Sequence, residues 1–153
     1  MSKKKGVAIA KRPPLAGLVI DSSVTIAWCF PDEKDDYAQS VLDALISAPA
    51  FVPDLWHLEV ANTLLVGERR KRSTQADTVA WMNFLAALPI AADEETKTYA
   101  FSDTANLGRS HNLSAYDAAY LELALRRGLL LATLDDKLKA AAHAVGVPLF
   151  GLQ

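Results

Sequence analysis

Leu15-Ala16-Gly17-Leu18-Val19-Ile20-Asp21-Ser22-Ser23 is the stretch on which the reading of the fold turns. It is apolar through Ile20 and then abruptly polar, the pattern of a short strand buried on both faces and ending on a carboxylate. Leu129-Leu130-Leu131-Ala132 repeats the pattern and, after Thr133 and Leu134, also reaches acids, Asp135 and Asp136. Proline-bounded segments over 49–53 and 89–92 read as brief strands, and 147–150 as a last edge strand. The segments between them carry helical signals. One helix runs over 22–30 and is stopped by Pro31, and another runs over 35–47 with Tyr37, Val41, Leu42, Leu45 and Ile46 on its apolar face. Asp54 caps a helix reaching about Arg72, and Ser73 opens another through Ala87. A helix over 94–110 follows, then one capped by Ser114 and closed by Gly128, and one over 135–144 closed by Gly146. Strands alternating with helices imply parallel strands joined by helical crossovers, hence an α/β protein with helices on both faces of the sheet.

Composition bounds what such a chain can be. With 153 residues, 51% of them hydrophobic and 22% charged, it can bury a core as one domain without a disulfide. The lone cysteine, Cys29, lies between Trp28 and Phe30 and reads as core, which favours a reducing, cytoplasmic setting. No apolar run approaches the roughly 20 residues that span a bilayer, and the short apolar stretch near the N-terminus does not make a signal peptide, so no membrane role is expected. Five of the 16 basic residues, Lys3, Lys4, Lys5, Lys11 and Arg12, fall in the first twelve positions, where there is no acid. Residues 1–15 therefore read as a basic tail, a solubilising leader more than an RNA contact, and 16–153 as the folded domain. That domain carries 11 basic against 18 acidic residues, an excess of acid unlike that of a protein held to nucleic acid by phosphate neutralisation alone.

In open parallel sheets ligands bind beyond the carboxyl ends of the strands, so the acids there matter most. Asp21 and Asp135 follow strands; Glu59 and Asp117 stand near the starts of helices that follow strands. Taken singly, Asp21, Asp117 and Asp135 each have a capping reading, since Ser114 to Asp117 and Thr133 to Asp136 both show capping-box spacing. Glu59 does not. Leu55, Glu59, Asn62 and Val66 share one helical face, so a carboxylate and an amide are expected to interrupt an apolar stripe, with no lysine or arginine spaced to pair with them. A buried carboxylate needs donors or a cation. Four carboxylates at one sheet edge repel one another, and Mg²⁺ or Mn²⁺, which take oxygen ligands and keep several waters, would offset that charge. Such ions activate water and support phosphodiester hydrolysis without a serine or cysteine nucleophile, and none is apparent. His57, His111 and His143 show no metal-ligand spacing and read as structural or surface residues.

Four segments, Val19-Ile20-Asp21-Ser22-Ser23-Val24, 55–64 around Glu59 and Asn62, 113–124 around Asp117, and 131–138 around Thr133 and Asp135, resemble in order the motifs of the PIN-domain nucleases, over about residues 17–150. None of the motifs is specific alone; their order and spacing carry the likeness. The resemblance implies a three-layer α/β/α sandwich around a mostly parallel five-stranded sheet, Mg²⁺ or Mn²⁺ as cofactor, and endonucleolytic cleavage of RNA. It places Asp21, Glu59, Asp117 and Asp135 as catalytic metal ligands and Ser23, Asn62 and Thr133 as supporting polar residues. Asp136 is an extra acid that could share Asp135's duty. Short proteins of this kind look most like VapC-type toxins, which implies a homodimer and a cognate antitoxin partner, whose basic residue would suit the acidic groove.

Arg69, Arg70, Lys71 and Arg72 form the densest basic cluster in the body and are the candidate RNA contacts; the alternative is a helix end stabilised by cations against its dipole. A non-catalytic PIN-fold module that binds RNA or protein is the alternative function, although a degenerate copy should have lost one of the four acids. A phosphoacceptor receiver domain fits less well, because one Asp follows the first strand and Glu59 has no place in that scheme.

Overall fold

The computed structural model describes residues 16–151, so the basic segment expected over 1–15 lies outside the described residues. The chain runs β1 (Leu18–Ile20), α1 (Ser22–Cys29), a 3₁₀ turn (Pro31–Glu33), α2 (Asp36–Ala44), β2 (Ala50–Pro53), α3 (Trp56–Arg69), α4 (Gln75–Ala86), β3 (Ile90–Asp93), α5 (Thr96–Tyr99), a π-helical turn (Ala100–Thr104), α6 (Ala105–His111), α7 (Ala115–Arg127), β4 (Leu130–Ala132) and α8 (Asp136–Val145). The strands form one parallel sheet in the order β3-β2-β1-β4. Each side chain of β1 is fully buried, as an apolar run covered on both faces requires.

The strand order reverses at β1. Successive crossovers carry the chain from β1 out to β2 and β3, after which β4 returns to the other side of β1. The crevice between the carboxyl ends of β1 and β4 is therefore the switch point at which such sheets bind ligands. Helices flank the sheet. α7 packs across β1, β2 and β4 and gathers α6 and α8, while α1 gathers α2 and α3, with α4 on α3.

Several boundaries differ from the expected ones for identifiable reasons. The sheet has four strands rather than five, because the segment over 147–150 makes a single parallel bridge, Leu131 to Leu149. Pro148 has no N–H to extend the ladder, and Gly151 turns away at a φ of +70°. The expected helix over 94–110 is broken into α5, the π turn and α6, and Asn112 in the left-handed region closes it. Thr74 rather than Ser73 caps α4, in a reciprocal capping box with Asp77. No side chain caps α3, so Asp54 does not take that role. α2 stops at Ala44, and Ile46 lies beyond it, almost fully exposed, instead of on the core face.

Three charged networks hold helices to their neighbours. Arg126 of α7 donates to the buried carboxylates of Asp93 (2.5 Å) and Glu122 (2.7 Å) and to Glu95 (3.1 Å), with its guanidinium over the Tyr99 ring. Arg127 lies 3.9 Å from the centre of the Phe51 ring. Arg72 bridges Asp32 and Glu33 and covers Phe30, whose ring also makes an edge-on contact with Trp81. Cys29 is buried, and burial drives its thiol up to about 11, so it is inert core as expected. Among the described residues no helix is long and apolar enough to cross a membrane.

Gly67 lets α3 approach α1. A Cβ there would sit 2.8 Å from Phe30 Cζ and 3.2 Å from Ser73 Oγ. The Phe30 ring is packed against the Arg72 guanidinium and the Trp81 ring and cannot yield cheaply, so overpacking outweighs alanine's better helix propensity. Gly67→Ala is expected to lower the unfolding free energy by about 1–2 kcal/mol in a urea titration; unchanged or higher stability would contradict the close contact.

Candidate active site

Asp21 ends β1 and caps α1. Its Oδ1 accepts from Val24 N (3.3 Å) and from Ser23 Oγ (2.5 Å), and its Oδ2 accepts from Thr133 Oγ1 (2.5 Å). The two hydroxyls are themselves held from the β4 side. Leu134 N donates to Ser23 Oγ (2.9 Å) and Asp135 N donates to Thr133 Oγ1 (3.0 Å). The carboxyl ends of β1 and β4 are thus stitched through one side chain. The capping reading and the site reading of Asp21 are both true of the same carboxylate. Asp21 is only 4% exposed, and this burial is the main cause that raises its carboxyl from 3.8 to about 6. The three donors pull it back down, and the charge of Asp135 adds to the rise.

Asp135 caps α8 by accepting from Leu138 N (2.8 Å) and leans toward the same groove. Asp136 is 99% exposed and reaches Lys139 at 3.7 Å on the outer side, so the structure separates the two neighbouring acids. Asp117 stands in the first turn of α7, its N–H donating to the Ser114 hydroxyl. Partial burial raises its carboxyl, and Asp135 and then Glu59 add to the rise, while Lys137 opposes it. Glu59 stands in the first turn of α3 and accepts from the Tyr120 hydroxyl at 2.6 Å. The Coulombic couplings of Asp135 with Asp21 and Asp117, and of Glu59 with Asp117, place the four acids within one field. Among the described residues none of the four is in an ion pair. Asp21, Asp117 and Asp135 line an open groove of about 520 Å³ that continues past Thr63 to Asp32 and Asp35.

The reason expected for Glu59 needs correction. The face of α3 that enters the core is Trp56, Val60, Leu64 and Gly67. Glu59 is half-buried beside it, Leu55 and Val66 are also only half-buried, and Asn62 is exposed without a side-chain hydrogen bond among the described residues. Glu59 therefore interrupts no core stripe, and its partner is a hydroxyl from another helix. Tyr120 is the site residue that sequence reasoning missed. The available signal was its place three residues after Asp117 on one helical face, combined with the need of a buried phenol for an acceptor. Burial, and then the hydrogen bond to Glu59 and that residue's charge, push the phenol far above its ordinary range, which keeps it a donor.

The basic cluster is divided. Arg69, Arg70 and Lys71 are exposed at the end of α3, and Lys71 adopts a φ of +57°. Arg69 lies ten residues past Glu59, about 15 Å along the helix axis. Arg72 is occupied by Asp32, Glu33 and the Phe30 ring.

The donor set around the groove is all oxygen. Among the described residues no three acidic, histidine or cysteine side chains close a cage around one point. Carboxylate oxygen is the ligand chemistry of magnesium and manganese rather than of zinc, which favours nitrogen and sulfur.

The carboxyl of Asp21 also sets a pH dependence. Its folded-state value, about 6, lies above the ordinary 3.8, so the folded chain binds this proton more tightly than the unfolded chain. Stability therefore falls as pH rises from about 4 through 6, and at neutral pH the buried charge costs about 3 kcal/mol. Asparagine keeps the cap and removes the charge. In EDTA, Asp21→Asn is expected to raise the unfolding free energy by up to about 3 kcal/mol at pH 7, the gain vanishing near pH 4. A destabilised variant at pH 7 would refute the account.

The PIN domain family model matches residues 18–144 of the chain. Ribonuclease VapC3 of Pyrobaculum aerophilum is 32% identical over 136 residues, which cover 86% of this chain and 98% of that protein. The crystal structure of PAE2754 from Pyrobaculum aerophilum superposes with a TM-score of 0.58 at 20% identity, over 82% of this chain and 86% of that one. FitAcB from Neisseria gonorrhoeae superposes with a TM-score of 0.50 at 16% identity, over 88% of this chain and 96% of that one. At such identities the two structures speak for the fold alone. The family match spans all four strands and all four acids, and the chain belongs to the PIN-domain family.

Proposed function

We propose that the chain is a Mg²⁺- or Mn²⁺-dependent endoribonuclease, the toxin of a toxin–antitoxin pair. The reading is carried by Asp21, Asp117 and Asp135 lining one groove at the switch point, with Glu59 close enough to raise Asp117 and with none of the four in an ion pair among the described residues, in a chain 32% identical to a ribonuclease. Asp21, Asp117, Asp135 and Glu59 would hold a divalent cation, whose chemistry would be to acidify a water for attack on a phosphodiester and to offset the negative charge gathering on the phosphoryl oxygens. The chain's own residues provide the rest. Asp21 and Asp135 face the groove with oxygens whose directions are set by Ser23, Thr133 and the first turns of α1 and α8. Asp117 and Glu59 extend the negative field to the α3–α7 side, and the groove lies open to solvent.

The acidic groove, with Lys34 its sole basic lining residue among the described residues, suits a basic side chain from an antitoxin. A separate apolar hollow of about 380 Å³ lies between α3, α4 and β3, walled by Trp56, Val60, Met82 and Leu85. With Val79 also exposed one turn before Met82 on α4, this face supports the homodimer reading. Met82→Glu is expected to shift sedimentation from dimer to monomer; a wild type that sediments as a monomer would remove the homodimer from the proposal.

Purified protein is expected to cut a pool of structured RNAs with Mg²⁺ or Mn²⁺ and not in EDTA. Asp21→Asn and Asp117→Asn should each reduce the rate by roughly a hundredfold or more, a loss at least as large as that of groups behind a ligand. Cleavage that survives EDTA, or full activity in both variants, would sink the mechanism. No cleavage by wild type under any condition would move the reading to a binding module.

A further inference from the structure

We infer that Tyr120 is the positioning residue for Glu59, selecting the rotamer in which that carboxylate joins the other three acids; the inference rests on the metal-dependent reading proposed above. Asp21 and Asp135 are each fixed by a backbone N–H at the start of the helix they cap. Glu59 has no such donor. Its main-chain oxygen accepts from Thr63, but among the described residues its carboxylate has one hydrogen bond, the 2.6 Å contact from the Tyr120 hydroxyl. Glutamate is also the longest and most freely rotating of the four side chains, so it loses the most when left unheld.

Tyr120 is suited to hold it. The residue is fully buried on α7, which packs across three strands, and it stands three residues after Asp117 on the same helical face. One rigid helix thus carries Asp117 and, through a phenol, sets the position of Glu59. The start of α3 is fixed from the other side, where Trp56 Nε1 donates to Thr25 Oγ1 and Thr25 donates to the Asp21 main-chain oxygen. The backbone of Glu59 is set by α1 and its carboxylate by α7.

The test is Mn²⁺ binding to the full chain, followed through the electron paramagnetic resonance of free Mn²⁺, with no RNA present. Tyr120→Phe removes only the hydroxyl. It is expected to unfold in EDTA within about 5 °C of wild type and to bind Mn²⁺ roughly tenfold more weakly. Glu59→Gln should lose a similar factor, and the double variant should bind no worse than Glu59→Gln alone, because the hydroxyl acts through that carboxylate. Wild-type affinity in Tyr120→Phe, or losses that multiply in the double variant, would overturn the positioning role. Wild-type affinity in Glu59→Gln would overturn it too, leaving the nuclease reading to Asp21. A wild type that binds no Mn²⁺ would overturn both.

Discussion

A carboxylate buried at the end of the central strand is the constraint around which this molecule is arranged. Asp21 has been removed from water at the point where the strand order reverses, and nothing cationic among the described residues neutralises it. What makes the burial tolerable is three donors, and each of them ties the chain to itself: Val24 N begins α1, Ser23 reaches Leu134, and Thr133 belongs to the turn after β4. The sheet order, the start of α1 and the start of α8 meet in one hydrogen-bonded group. Losing any one donor would leave charge in a medium that penalises it heavily.

The chain treats its two acid clusters in opposite ways. At the end of β3, Asp93, Glu95 and Glu122 converge on Arg126, whose fork closes the cluster. That group is finished; it fastens α7 to β3 and asks for nothing from solution. At the end of β1 and β4, the acids are held by hydroxyls and backbone N–H groups, which direct the oxygens without cancelling their charge. α7 spans both clusters, so the closed one braces the helix that presents Asp117 and Tyr120 to the open one.

Much of this could be read from residues in order. Buried strands ending on acids are legible because an apolar run that stops at a carboxylate has few other interpretations, and the four acids follow from where crossovers place helix starts. What was not legible depends on contacts between distant segments. Tyr120 to Glu59 spans 61 positions and Thr133 to Asp21 spans 112. Helical spacing also misassigned the buried face of α3, because Leu55, Glu59, Asn62 and Val66 follow the helical repeat as well as Trp56, Val60, Leu64 and Gly67 do, and only the packing of α1 and α4 decides between them. The fifth strand was lost to a proline whose missing N–H left one bridge.

The burial of Asp21 has a consequence for inheritance. Aspartate becomes asparagine by one nucleotide change in its codon. Because burial penalises that charge, the change would relax the fold while removing the carboxylate on which the proposed chemistry depends. On the proposed reading mutation would run downhill here, toward sturdier descendants without the acid, and continued selection on activity would be what keeps it in place. A lineage freed from that selection would be expected to retain a well-folded protein long after it had ceased to be an enzyme.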